Sequence, residues 1–202
     1  LDGQLDQLGQ KLSRTRRTAS KKLRKLVEIE LKDLGMSEAR FEVAFDHTDD
    51  SPTGLDAVEM MVRTNPGQPA RPLGKVASGG ELSRISLAIR METAFRGQVA
   101  TLIFDEVDTG IGGGVAEVVG RHLGALGTKR QVLCVTHLPQ VAAQAAQHLQ
   151  VGKEQGSDAT TTRIATLSRK QRIEELSRML GGVEITAQTR AHAEEMLKLA
   201  GN

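Results

Sequence analysis

Asp105 and Glu106 directly follow the apolar run TLIF, so a buried strand would deliver two adjacent carboxylates to its C-terminal end. In open α/β sheets that edge is where ligands bind. One acidic residue there can hold a magnesium ion, directly or through water. A second can polarise an attacking water, provided a nucleotide phosphate lies beside them. Acidic residues also end strands merely to solvate a turn, and these residues alone leave both readings open.

A second stretch, Ser78-Gly79-Gly80-Glu81, stands directly before the helical pattern LSRISLAIRMETAF. Ser78 and Glu81 satisfy the S-x-x-E capping box, which by itself starts a helix. The paired glycines add something that a cap does not need, since they let backbone approach an anion closely while the helix N-terminus offers free amides. The two readings compete for the Ser78 hydroxyl. The third stretch is Thr136-His137, at the end of the strand-like run VLCV. A lone histidine is usually structural, and His47, His122, His148 and His192 form no metal-ligand spacing with it. Its position sets His137 apart, because it ends a second buried strand at the same sheet edge as Glu106.

The elements that must position these residues follow from periodicity. Residues 4–34 lack proline, and Leu5, Leu8, Leu12, Ala19, Leu26 and Ile29 recur at three-and-four spacing, the seam of a coiled coil ending at Gly35. A pattern that starts without an N-cap suggests a chain cut from something longer. Ala39 to Phe45 and Ala57 to Thr64 alternate as strands around the turn-rich HTDDSPTG. The loop NPGQPARPLGK then holds three of the five prolines. Beyond it, a helix from Gly80 to Phe95, a strand from Ala100 to Phe104, a helix from Gly113 to Leu126 and a strand from Gln131 to Val135 alternate. That order predicts a parallel sheet covered on both faces. Strands at Leu149 to Val151 and Thr160 to Leu167 follow, then helices at Ser168 to Leu180 and Thr186 to Leu199 joined by Gly181-Gly182. The predicted organisation is a coiled-coil stub over 1–34 and one α/β lobe over 35–202.

Composition bounds the class. At 202 residues, 39% hydrophobic and 26% charged, the chain is ordinary globular protein, with a core built from aliphatic residues because Trp and Tyr are absent. The single Cys134 rules out an internal disulfide and reads as a small buried hydrophobe. No apolar run approaches the length of about eighteen residues that a membrane span needs, so the expectation is a soluble, cytoplasmic protein with no membrane partner. The net charge of +2 hides a run from Lys11 to Lys25 with eight basic and no acidic residues. Arg14, Arg16, Arg17, Lys21, Lys22, Arg24 and Lys25 are the candidate DNA-phosphate contacts within it. A solvated helix face accounts for the same run, and no aromatic residue for base stacking interrupts it.

Taken together and in this order, the three stretches resemble the C-terminal part of ABC-type P-loop ATPase heads. ASGGE is similar to the signature motif, TLIFDE to the Walker B strand, VDTGIGG to the D-loop and TH to the switch histidine. SGGE rather than SGGQ, with a coiled coil ahead of it, resembles the SMC-like branch. DEVDTGIGGGVAEVVG, VTHLPQVAAQA, LSRMLGG and TRAHAEEML resemble a bacterial member of that branch that acts in DNA double-strand break repair and recombination, over Gly74 to Leu197. Residues 1–72 match only in organisation.

The resemblance implies an α/β fold, the C-terminal lobe of a head with a mostly parallel sheet, using ATP and Mg2+. It implies that ATP is sandwiched between two heads of a homodimer. Ser78, Gly79, Gly80 and Glu81 would face the γ-phosphate of ATP held by the opposite head. In its own head Asp105 would assist magnesium, Glu106 would act as general base and His137 would sense the γ-phosphate, while Asp108 would cross the dimer interface. It further implies DNA as partner and a nucleoid-associated, cytoplasmic location. The departure is the phosphate-binding loop: no G-x-x-x-x-G-K-[ST] occurs, since Gly74-Lys75 is followed by Val76 and Pro69 stands where the first glycine should be. The expected partner is therefore the N-terminal half of the same head, and the chain alone should hydrolyse ATP poorly. A non-enzymatic DNA or protein scaffold with relic motifs and a transporter ATPase subunit remain the alternatives.

Overall fold

The computed structural model describes residues 2–93, 99–155, 160–181 and 184–201. The chain forms two compact units, Leu1–Gln98 and Val99–Asn202.

The first unit opens with a long helix, α1 (Asp2–Asp33), followed by the antiparallel strands β1 (Arg40–Ser51), β2 (Gly54–Arg63) and β3 (Arg71–Pro72), a 3-10 turn at Leu73–Lys75, and helix α2 (Gly79–Thr93). β1 runs farther than the alternation predicted, through HTDDS, with a register irregularity between His47 and Ser51. The turn closes on Gly54 at φ +96°, a conformation that glycine adopts without strain, and Leu12 of α1 lies beneath it. α1 is anchored by residues outside the predicted seam. Val27, Leu31 and Leu34 are fully buried with Phe41, Ile85, Leu87 and Ala88, whereas Leu5, Leu8, Leu12, Leu26 and Ile29 stay exposed. The helix thus carries two apolar stripes, one packed on its own unit and one open. The predicted end of α2 at Phe95 lies outside the described residues.

The second unit begins with β4 (Thr101–Phe104), α3 (Gly113–Gly127) and β5 (Gln131–Cys134), a β-α-β unit whose strands pair in parallel with Phe104 opposite Cys134. α3 buries Ala116, Val119, Leu123 and Leu126 at helical spacing. A short helix not foreseen from periodicity, α4 (Pro139–Ala143), follows, with proline at its first turn, where no backbone N–H is needed. It packs on α3 at Gly120, where a Cβ would stand 2.8 Å from the Gln144 side chain and 3.2 Å from the Gln140 carbonyl oxygen. An antiparallel hairpin, β6 (Leu149–Gln155) and β7 (Thr160–Thr166), leads to α5 (Arg169–Gly181) and α6 (Ala187–Leu199). Leu176, Ala193 and Leu197 of these helices bury against Ala142 and Ala143. Gly182, half of the predicted glycine link, lies outside the described residues.

The parallel pairing is confined to β4 and β5, and among the described residues every other strand pair is antiparallel. Nor are these two strands covered on both faces as predicted. Ile103, Leu133 and Val135 are 71, 44 and 62% exposed on one face, while Phe104 is buried on the other. Side-chain alternation puts successive residues on opposite faces, so the aliphatic content of TLIF and VLCV is divided between a packed face and an open one.

Candidate nucleotide site

The parallel register of β4 and β5 carries the chain out of both strands at one edge. The ladder runs on one step past the strand ends, with the Val135 N–H donating to the Phe104 carbonyl at 3.0 Å. Asp105 and Glu106 therefore leave β4 beside Thr136 and His137 leaving β5, as the sequence suggested. Glu106 adopts φ +59°, the left-handed region that non-glycine residues seldom occupy. The turn behind this value is visible: Thr109 N–H donates to the Glu106 carbonyl at 3.1 Å, while Val107 and Asp108 turn inward and are buried. Unusual backbone held in place by surrounding packing is frequent at functional sites. The Glu106 side chain is exposed and has no partner among the described residues.

Asp108 holds this edge together. Its side chain is only 3% exposed, and one carboxylate oxygen accepts from the Thr136 hydroxyl, from the His137 backbone N–H at 3.1 Å, and lies 3.2 Å from His137 Nδ1. Thr136 donates its hydroxyl proton there and accepts from the Leu138 N–H at 3.0 Å, which closes a tight turn into α4. With Nδ1 turned to a carboxylate, that nitrogen carries the proton and Nε2 is left for an external partner. The His137 side chain is 71% exposed. Asp108, which the resemblance would send across a dimer interface, is thus committed within its own chain. Its role as orienter of the histidine was not legible in the sequence, because the two residues meet only when the strands pair.

Two neighbours complete the arrangement. Cys134, half-buried rather than buried, keeps its proton, its thiol pushed up to about 12 by burial first and by the Asp108 and Asp105 carboxylates after it. Arg172 of α5 reaches the far end of α4. Its buried guanidinium donates to the carbonyls of Ala145 at 2.6 Å and of Ala143 and Ala146 at 3.5 Å. These include carbonyls that a helix leaves unsatisfied at its C-terminus. Nothing in the one-dimensional pattern singled it out.

The glycine-rich stretch belongs to the first unit. Ser78 caps α2 as the S-x-x-E pattern predicted: its Oγ accepts from the Glu81 N–H at 3.3 Å and its carbonyl from Leu82 N–H at 3.0 Å. A hydroxyl that accepts one bond still has a proton to donate, so capping does not exclude a ligand. Gly79 and Gly80 follow as the first residues of the helix.

The basic run on α1 divides in two. Asp56 of β2, buried, accepts from Ser13 Oγ at 2.7 Å and faces Arg16 at 3.5 Å and Arg17 at 3.7 Å. Arg16 also donates to the Thr53 carbonyl at 2.7 Å, and Arg17 stacks over Phe45 at 4.8 Å. Arg24 pairs with Glu28 at 3.3 Å. These three cations are engaged in holding the helix and its sheet. Arg14, Lys21, Lys22 and Lys25 have no partner among the described residues.

No protein-family model matches the chain. It is 50% identical over 189 residues to the DNA repair protein RecN of Vibrio cholerae, covering 93% of this chain and 34% of that protein. The chain belongs to the RecN family. It is also 41% identical to RecN of Bacillus subtilis over 94% of its own length and 36% of that protein's. The RecN-family chain spans about a third of the length of the curated relatives it matches. Its fold is that of an SMC ATPase head. The Smc head domain of Pyrococcus yayanosii superposes with TM-score 0.58 at 18% identity, over 81% of this chain and 30% of that one. An SMC ATPase described by its ATP-driven dimerisation and DNA-stimulated activation superposes with TM-score 0.51 at 14% identity, over 85% and 99% of the two chains.

Proposed function

We propose that this chain is the signature-and-carboxylate part of an ATP-hydrolysing, SMC-like head that acts in DNA double-strand break repair and recombination. The observation that carries the reading is the convergence of Asp105-Glu106 with Thr136-His137 at one sheet edge, tied by Asp108. Glu106 accepts a proton from the water that attacks the γ-phosphate. His137 meets that phosphate through Nε2, with Nδ1 held by Asp108. Asp105 is the magnesium-side carboxylate. Mg2+ is ordinarily held by one or two carboxylates together with phosphate oxygens, and the exposed Asp105 carboxylate at the end of β4 fits that requirement. Bound there, the ion would neutralise charge on the β- and γ-phosphate oxygens. Ser78 to Glu81 serve ATP on the opposite head of a homodimer, which couples nucleotide binding to head association.

The phosphate-binding loop comes from the N-terminal half of the same head. Mixing this chain with a separately made segment carrying that loop is expected to restore ATP turnover that neither piece has alone. Folded, associated halves that fail to turn over ATP would favour the scaffold reading.

DNA is the second partner in this proposal, and the work is cytoplasmic and nucleoid-associated. No described helix is long and apolar enough to cross a membrane. The DNA-facing cations are Arg14, Lys21, Lys22 and Lys25, which are free of internal pairs, more than Arg16, Arg17 and Arg24. Neutralising those four should weaken DNA binding and flatten its log-log salt dependence by about 0.9 for each phosphate that is no longer neutralised. Unchanged affinity would remove α1 from the interface. Replacing Arg16 and Arg17 should instead loosen the packing of α1 on the hairpin, because Asp56 loses both its cations.

A further inference from the structure

A groove of about 220 Å3 lies beside the signature stretch, within the first unit, and its polar lining includes Asn65, Gln68, Arg71, Lys75, Ser78 and Glu81. The backbone holds its two cations in place. β3 pairs Arg71 with Val62 of β2, and the 3-10 turn that follows closes through the Val76 N–H to the Leu73 carbonyl at 3.3 Å, which positions Lys75 three residues before Ser78. Both side chains are exposed and, unlike Arg16, Arg17 and Arg24 of the same unit, have no internal partner among the described residues. The donors around them point to the same ligand chemistry. The Ser78 hydroxyl, used as an acceptor by Glu81 N–H, retains its own proton, and the Gly79 and Gly80 amides at the start of a 15-residue helix have no acceptor among the described residues. Glu81 is the single carboxylate in the lining, so two cations outweigh it.

We infer that Arg71 and Lys75 extend the signature site, forming ion pairs in trans with the phosphate chain of the nucleotide bound by the opposite head. This rests on the reading of Ser78 as a trans contact. Cations matter here because a polyphosphate brought against Ser78 carries more charge than neutral donors can balance, and charge-assisted N–H to O⁻ bonds are about twice as strong as neutral ones. Arg71 supplies a planar fork and Lys75 a point charge.

The test uses the full-length protein and reads the ATP concentration needed for half-maximal head association by sedimentation. Arg71→Ala with Lys75→Ala should raise it about tenfold, as expected when two solvent-exposed ion pairs are removed. Binding of a fluorescent ATP analogue to the monomeric head, and the melting temperature, should not move. Lys75→Arg should restore most of the affinity in the single-variant series. Ser78→Arg separates the two levels. If it leaves association intact, the trans role of the signature is wrong. If it abolishes association while the double variant matches wild type, only the Arg71 and Lys75 assignment is overturned. A double variant that loses DNA stimulation with its ATP dependence unchanged assigns these cations to DNA instead, and likewise overturns it.

Discussion

Glu106→Gln in the full-length protein is expected to cut ATP turnover by at least about a hundredfold, the contribution typical of a positioned general base, while ATP-driven association of heads persists. The substitution keeps the size and polarity of the side chain and removes only its capacity to take a proton. The backbone at this position is strained before any change, with φ +59°, and Gln tolerates that conformation no worse than Glu. The fold should therefore be unaffected, and association, which depends on binding rather than on proton transfer, should if anything be prolonged. Single-turnover hydrolysis together with sedimentation in ATP distinguishes the outcomes. Normal turnover would remove Glu106 from the catalytic role. Loss of association along with turnover would show instead that the turn at Glu106 had been disturbed.

The second large effect is on stability. Asp108→Ala deletes a buried carboxylate that accepts from the Thr136 hydroxyl and the His137 N–H and faces His137 Nδ1. Removing an acceptor of this kind strands its donors, at about 1–3 kcal/mol for each buried group left unsatisfied. A loss of roughly 2–4 kcal/mol in denaturant unfolding of this chain is expected on that basis. Thr136→Val, which removes one donor together with its own need for a partner, should cost less. An Asp108→Ala chain as stable as wild type would mean that water replaces the carboxylate and that the turn into α4 is held elsewhere, Arg172 being the next support.

Much of this was legible one residue at a time. The helix and strand order follows from period, because apolar spacing of 3.6 or 2 is a local property of the chain. The pairing of carboxylates and histidine at one edge follows from two apolar strands of equal length flanking a helix. The capping role of Ser78 was legible because its bond spans three residues. What was illegible involves partners far apart in sequence. Asp108 and His137 lie on different loops, Arg172 reaches back to α4 from α5, and Asp56 gathers Ser13, Arg16 and Arg17 from a helix some forty residues earlier. In one dimension that basic run is a single feature. In the fold it is two, since Arg16 and Arg17 meet Asp56 of β2 while Arg14, Lys21, Lys22 and Lys25 do not.

The sequence by itself determined which chemistry is present. TLIFDE, ASGGE and TH specify carboxylate, hydroxyl, amide and imidazole at the ends of particular elements, and covalent order alone places them there. Only the tertiary structure decided how those groups are used. Pairing β4 with β5 turns Asp108 inward as the support of His137, and packing α1 on the hairpin pairs Arg16 and Arg17 with Asp56. The physical reason is that burial makes an unpartnered charge costly, so the fold assigns each charged group either a partner within the chain or a place at the surface, and no local pattern records which.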